Sequence, residues 1–209
     1  MRRLGIGALL ATALLAAPFA QESLLGHIEA KYGKFAKNRF LYLNDTMAKL
    51  EGKSVREKLE GVNDFFNNVR YASDLKVYGQ SDYWATPWEF LGRDMGDCED
   101  YVIAKYFALK HLGIDPKKLY FTYVKSRRFK EPHMVLTYFE TPKSIPLVLD
   151  NNNFKIFPAD QRRDLIPIYN FNGDALYLAQ QKGLGEEVTV HKTHKKWDQL
   201  LINMQRNKI

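Results

Sequence analysis

The lone cysteine of this 209-residue chain lies in "MGDCEDYVIAKYFALKHLG" (Met95 to Gly113), with Asp97 before it and Glu99 and Asp100 after it. A cysteine attacks as a thiolate, and neighbouring carboxylates oppose that charge. Helix geometry offers a resolution. Gly96 interrupts the preceding loop and Asp97 is a good N-cap residue. Cys98 then falls in the first turn of a helix, where free N–H groups and the helix dipole favour a thiolate. At about 100° per residue, Asp97, Glu99 and Asp100 share one side of the axis and the sulfur points away from them. Oxygen ligands massed in this way suit a hard cation such as calcium, which would cancel their field on the sulfur. The same acids could merely complement the helix dipole. Spacing alone leaves both readings open, since this is not the twelve-residue loop of an EF-hand.

A nucleophilic thiol needs a base. The stretch "HMVLTYFETPKSIPLVLD" reads as a β-hairpin turning near Thr141 to Lys143. If Phe139 faces Ser144, then His133 faces Asp150, with Cβ atoms about 5 Å apart. An imidazole and a carboxylate at that distance can hydrogen-bond, which orients the ring and supports an imidazolium. A one-residue slip would send them to opposite faces.

The elements that must position these residues follow from periodicity. Leu24, Leu25, Ile28 and Tyr32 recur at helical steps within a largely helical stretch from Ser23 to Leu50. "SVREKLEGVNDFFNNV" predicts a helix with Ser54 as N-cap and Glu57 completing a capping box. "DYWATPWEFLGRDMGD" reads as an aromatic loop, with Trp84 and Trp88 packing beneath the helix that begins at the cysteine and stops at Gly113. Beyond it, "LYFTYVKS", "HMVLTYFE", "IPLVLD", "LIPIYNFN" and "ALYLA" are β-rich runs, and a short strand and a helix close the chain. Helices first and an antiparallel sheet afterwards give a single α+β domain. "KSRRFK" (Lys125 to Lys130) is a solvated loop in this reading. His191 and His194, three apart but without acid or cysteine partners, are not read as a metal site.

The first twenty residues, "MRRLGIGALLATALLAAPFA", have a basic start, an apolar run and small residues, the pattern of a secretory signal peptide. Cleavage is placed after Ala20, with Ala17 as the rival, leaving a domain from 21 to 209. Without the leader the chain carries 29 basic and 24 acidic residues, a net charge of +5 spread along its length. That balance gives no argument for nucleic acid. One cysteine excludes an internal disulfide and leaves an exported thiol open to oxidation unless the thiol is used.

Four segments in order, "DYWATPWEFLGRDMGDCEDYVIAKYFALKHLGI", "HMVLTY", "PLVLDN" and "DLIPIYNFN", resemble the bacterial transglutaminase-like cysteine proteinases, across roughly Leu24 to Asn203. The resemblance implies a papain-like, transglutaminase-like fold with a Cys98–His133–Asp150 triad, and a calcium ion held by Asp97, Glu99 and Asp100. It further implies a periplasmic endopeptidase that cuts a large surface adhesin near its N-terminus, beside a pair of small residues, and so promotes biofilm dispersal. Its implied regulator is an inner-membrane receptor that sequesters the protease when cyclic-di-GMP is bound. A monomer is expected. The same three residues would also serve a transglutaminase or a cell-wall amidase. A non-catalytic calcium-dependent binding module is a reading of another class, and it predicts an unreactive Cys98.

Overall fold

Periodicity predicts one helical stretch from Ser23 to Leu50. The computed structural model, which describes residues 19–173, 175–180, 182–188 and 194–206, divides it into α1 (Glu22–Tyr32) and α2 (Lys34–Leu50). Gly33 makes the break: its φ of 85° is a conformation that a side chain would strain. Most of the predicted leader (residues 1–18) and His191 lie outside the described residues. α3 (Val55–Asn67) starts where the sequence places it. Ser54 Oγ accepts from the Glu57 amide, and the Glu57 carboxylate accepts from the Ser54 N–H, so two otherwise orphaned donors are satisfied.

The aromatic segment is not simply a loop. After β1 (Arg70–Tyr71) and α4 (Asp74–Tyr78), the chain forms α5 (Pro87–Arg93) and then β2 (Met95–Gly96), which runs parallel to β1. The signal for α5 was "TPWE". Thr86 and Glu89 form a second capping box, and Pro87 sits in the first turn, where a missing N–H removes no helical bond. α6 (Cys98–His111) follows, and Gly113, at φ 81°, ends it.

The sheet is built from β3 (Leu119–Ser126), β4 (Pro132–Tyr138), β5 (Leu147–Leu149), β6 (Phe157–Pro158), β7 (Leu165–Asn172), β8 (Ala175–Leu178) and β9 (Glu186–Val188). Its spatial order is β6-β5-β4-β3-β7-β8-β9, with every neighbouring pair antiparallel. α7 (Lys195–Gln205) lays Trp197 against Phe121, Phe171 and Tyr106. The inward residues Leu119, Phe121, Met134, Leu136, Leu149 and Phe171 share one core with Phe66 of α3, Phe90 of α5 and Ile103 and Leu109 of α6. Each such side chain contributes about 1.5–3 kcal/mol through removal from water. α6 is therefore walled in by helices and sheet, and its N-terminus abuts β4.

The β4–β5 register differs from the expected one. Leu136 pairs with Leu149 and Thr137 with Val148, so the strands are displaced by two residues from a direct His133–Asp150 opposition. The connection is longer than expected, running from Phe139 to Pro146 around a turn in which the Ser144 amide donates to the Thr141 carbonyl. Side chains alternate with a period of two, so this displacement keeps both residues on one face. They meet on a diagonal.

Candidate active site

Cys98 is the first residue of α6, half-buried, and the backbone N–H of Met134 on β4 is directed at its sulfur. That contact seats the thiol beside the strand position next to His133. The sulfur does not turn away from the acids as helical phasing predicts: the thiol donates to Glu99 Oε2 at 3.1 Å. Two causes are visible. Asp97 is extended rather than helical, with φ −109° and ψ −167°, so it has no place on the helical wheel. Glu99 is long enough to fold back over the residue before it. Burial first, and then Glu99 and Asp97, hold the thiol well above its ordinary pKa, while the Met134 amide acts in the opposite direction.

His133 Nε2 lies 2.8 Å from Asp150 Oδ1, and both residues are buried. Asp150 Oδ1 also accepts from the Asn152 amide at 2.9 Å, and its Oδ2 accepts from Arg162 Nη2 at 2.7 Å. Arg162 is 4% exposed and clamps Asp164 through Nε and Nη2 as well. Burial alone would raise the Asp150 carboxyl. The His133 and Arg162 partners overcome it and bring the group down to about 2. Arg162 and Asn152 were not legible in the sequence, because nothing in the spacing of "DNNNFKIFPADQRRD" fixes which of its polar residues folds back onto β4.

The acidic cluster is larger than the sequence suggested and differently centred. Oxygens of Asp74, Asp97 and Asp100 lie within 4.8 Å of one another, as do those of Asp74, Asp82 and Glu99. Asp97, Cys98 and Glu99 form a third such group. Asp74, at the start of α4, is thus the member shared between Asp97–Asp100 and Glu99. Asp82, exposed, also pairs with Lys196. Asp97 occupies the N-cap position without capping: its side chain accepts no bond from the α6 amides, and Oδ1 is buried with no hydrogen-bond partner among the described residues. Asp74 Oδ1 is likewise an orphan, while Asp74 Oδ2 accepts from the Tyr83 amide at 2.5 Å. Asp100 is fully buried and accepts from the Ala85 amide at 2.9 Å. Burial, and then the neighbouring acids, push Asp97 and Asp100 well above the usual carboxylate range and Asp74 up to about 6. Buried oxygens without donors, converging from several carboxylates, fit a hard divalent cation. Gly96 belongs to the cradle, since a Cβ there would come within 2.4 Å of Asp100 Oδ2.

Trp84 stacks on Phe121 and on His194, and Trp88 packs on Phe19 and Phe40, as expected of packing residues.

The sequence model of the family described as bacterial transglutaminase-like cysteine proteinase matches residues 40–163. Among solved structures, calcium-bound LapG of Legionella pneumophila is similar at 37% identity, with a TM-score of 0.74 over 87% of this chain and 98% of that one. EGTA-treated LapG of the same organism is similar at 36% identity, with a TM-score of 0.74 over 90% of this chain and 100% of that one. No curated protein matches.

Proposed function

The chain belongs to the bacterial transglutaminase-like cysteine proteinases, and from that premise we propose that it is an exported, calcium-dependent endopeptidase in which Cys98, His133 and Asp150 are nucleophile, base and orienting acid. The observation that carries this reading is the meeting of separate segments at one point. The α6 start brings the thiol to the Met134 amide, and the neighbouring His133 is held by Asp150 at 2.8 Å.

Because Nε2 of His133 is engaged by Asp150, the Cys98 proton is received at Nδ1. The sulfur then attacks a peptide carbonyl carbon. The C–N bond breaks as His133 returns the proton to the departing amine, and water activated by the same imidazole hydrolyses the thioester. The Cys98 N–H, at the first position of α6, has no acceptor within the helix and is available to the developing oxyanion. Asp74, Asp97, Glu99 and Asp100 would hold calcium, whose charge offsets the carboxylate field on the sulfur. The calcium-bound and EGTA-treated forms of the Legionella protein support this assignment.

The substrate in this reading is a large surface adhesin, cut near its N-terminus in the periplasm, with release promoting biofilm dispersal. Its regulator is an inner-membrane cyclic-di-GMP receptor, and the enzyme acts as a monomer. Likeness to LapG over nearly the whole chain is what supports these steps. The purified protein, incubated in calcium with an N-terminal adhesin fragment from the same cell, is expected to yield two clipped products. Cys98→Ala should remove them with the circular dichroism spectrum unchanged. Cleavage that survives in that variant would exclude the mechanism, and cross-linked product would favour a transglutaminase.

A further inference from the structure

α6 carries a charge into the core as well as a nucleophile to its tip. Lys105, on the same helix two turns beyond Cys98, is 1% exposed. Its ammonium donates to Asn63 Oδ1 at 2.8 Å and to Asn67 Oδ1 at 2.7 Å, both on α3. Neither acceptor is charged. The charged groups facing it, Asp150 and Asp64, act only through their fields, and the Tyr101 ring lies 5.8 Å away. Burial brings the ammonium down to about 7 in spite of those two acids. A methionine of similar volume would fill the space without desolvating a charge. The lysine therefore calls for a role beyond filling it.

That role lies in what the two asparagines do next. With Oδ1 of Asn67 taken by the lysine, its Nδ2 points the other way and donates to the main-chain carbonyl of Asp150 at 2.9 Å, a fully buried bond. Asn63 is turned in the same manner and donates to the Phe154 carbonyl at 2.7 Å. One ammonium thus fixes two amides, and these hold both ends of the 150–154 loop that presents the carboxylate to His133. A buried amide with only one side satisfied loses both energy and orientation.

We propose that Lys105 is a positioning residue that, through Asn67 and Asn63, ties the Asp150 loop to the helix bearing Cys98 and so keeps Asp150 on His133. The consequence for proteolysis rests on the triad reading above. The geometric claim can be read without substrate.

The test compares wild type, Lys105→Met and Asn67→Asp in calcium-containing buffer. The readouts are the rate of Cys98 alkylation by iodoacetamide at about pH 6 and the NMR signal of the His133 imidazole proton bonded to Asp150. Asn67→Asp keeps an acceptor for the lysine, now as a carboxylate paired with the ammonium, and replaces the donor to the Asp150 carbonyl with an oxygen, so it serves even if Lys105→Met does not fold. Both variants are expected to alkylate about fivefold to tenfold more slowly, the size of one lost buried hydrogen bond, and to lose or shift the imidazole signal. Cleavage of the adhesin fragment should fall in kcat with KM unchanged. Folded variants that match wild type in alkylation rate and imidazole signal overturn the proposal. If wild type cleaves nothing while the variants still lose both signals, positioning stands and the proteolytic reading falls.

Discussion

The Asp97 side chain faces other acids with no donor for its Oδ1, so its effect on stability should change sign with calcium. In EGTA, Asp97→Ala removes a half-buried carboxyl group crowded by other acids and no capping bond, and it should melt higher than wild type, by roughly 1–3 kcal/mol in stability. In calcium the proposed site predicts the reverse order, because the variant lacks one of its carboxylates. Thermal melts of both proteins in both buffers decide the matter, and a variant that melts lower in EGTA would restore Asp97 to a capping role. Asp150 gives a second expectation. Its folded value of about 2 lies below the ordinary 3.8, so its contribution is fully present above about pH 4 and is lost as pH falls towards 2, amounting to about 2 kcal/mol. Urea midpoints followed from pH 5 to pH 2 should fall more steeply for wild type than for Asp150→Asn. Parallel slopes would mean that the carboxylate is not held by its partners.

Among the elements, legibility followed locality. The α3 capping box, and the spans of β3 and β7, are written in residues next to one another, and the structure has them as the sequence predicts. α5 was written just as locally in Thr86, Pro87 and Glu89, and was missed because the aromatic residues around them suggested a loop. The His133–Asp150 pair came through an error of two residues in register because faces alternate with the same period. Asp74 and Arg162 were not legible. Each reaches the site from a distant segment through tertiary packing, and no repeat or spacing marks it. Gly96 links β2, α5 and the acid cradle, and a Cβ there would also come within 2.6 Å of the Phe90 ring. Gly96→Ala should therefore cost about 1–3 kcal/mol through overpacking and weaken calcium affinity measured by titration. An unperturbed melt and affinity would show the approach to be loose.

At the scale of the whole molecule, helices and sheet share one core, and the Cys98 thiol lies where the α6 N-terminus reaches β4, beside the strand position next to His133. The N-terminal edge of that body bears on processing. Ala20 is buried, the Asn44 amide holds its N–H at 2.9 Å and its C=O at 2.8 Å, and Phe19 rests on Trp88 and His111. Cleavage after Ala20 would discard these contacts, whereas cleavage after Ala17 keeps them. If the leader is removed as proposed, N-terminal sequencing distinguishes the two sites: a start at Pro18 would preserve the contacts, and a start at Gln21 would show that they are dispensable. Among the described residues no helix is long and apolar enough to cross a membrane.

The central claim is that His133, oriented by Asp150, makes a nucleophile of a thiol set among carboxylates. Its most direct measurement is the rate of Cys98 alkylation by iodoacetamide at about pH 6, in calcium, for wild type and His133→Ala. The predicted result is rapid stoichiometric labelling of wild type and a loss of about a hundredfold in the variant, the gap between an ionised thiol and a free one at that pH. Equal rates in the two proteins would contradict it.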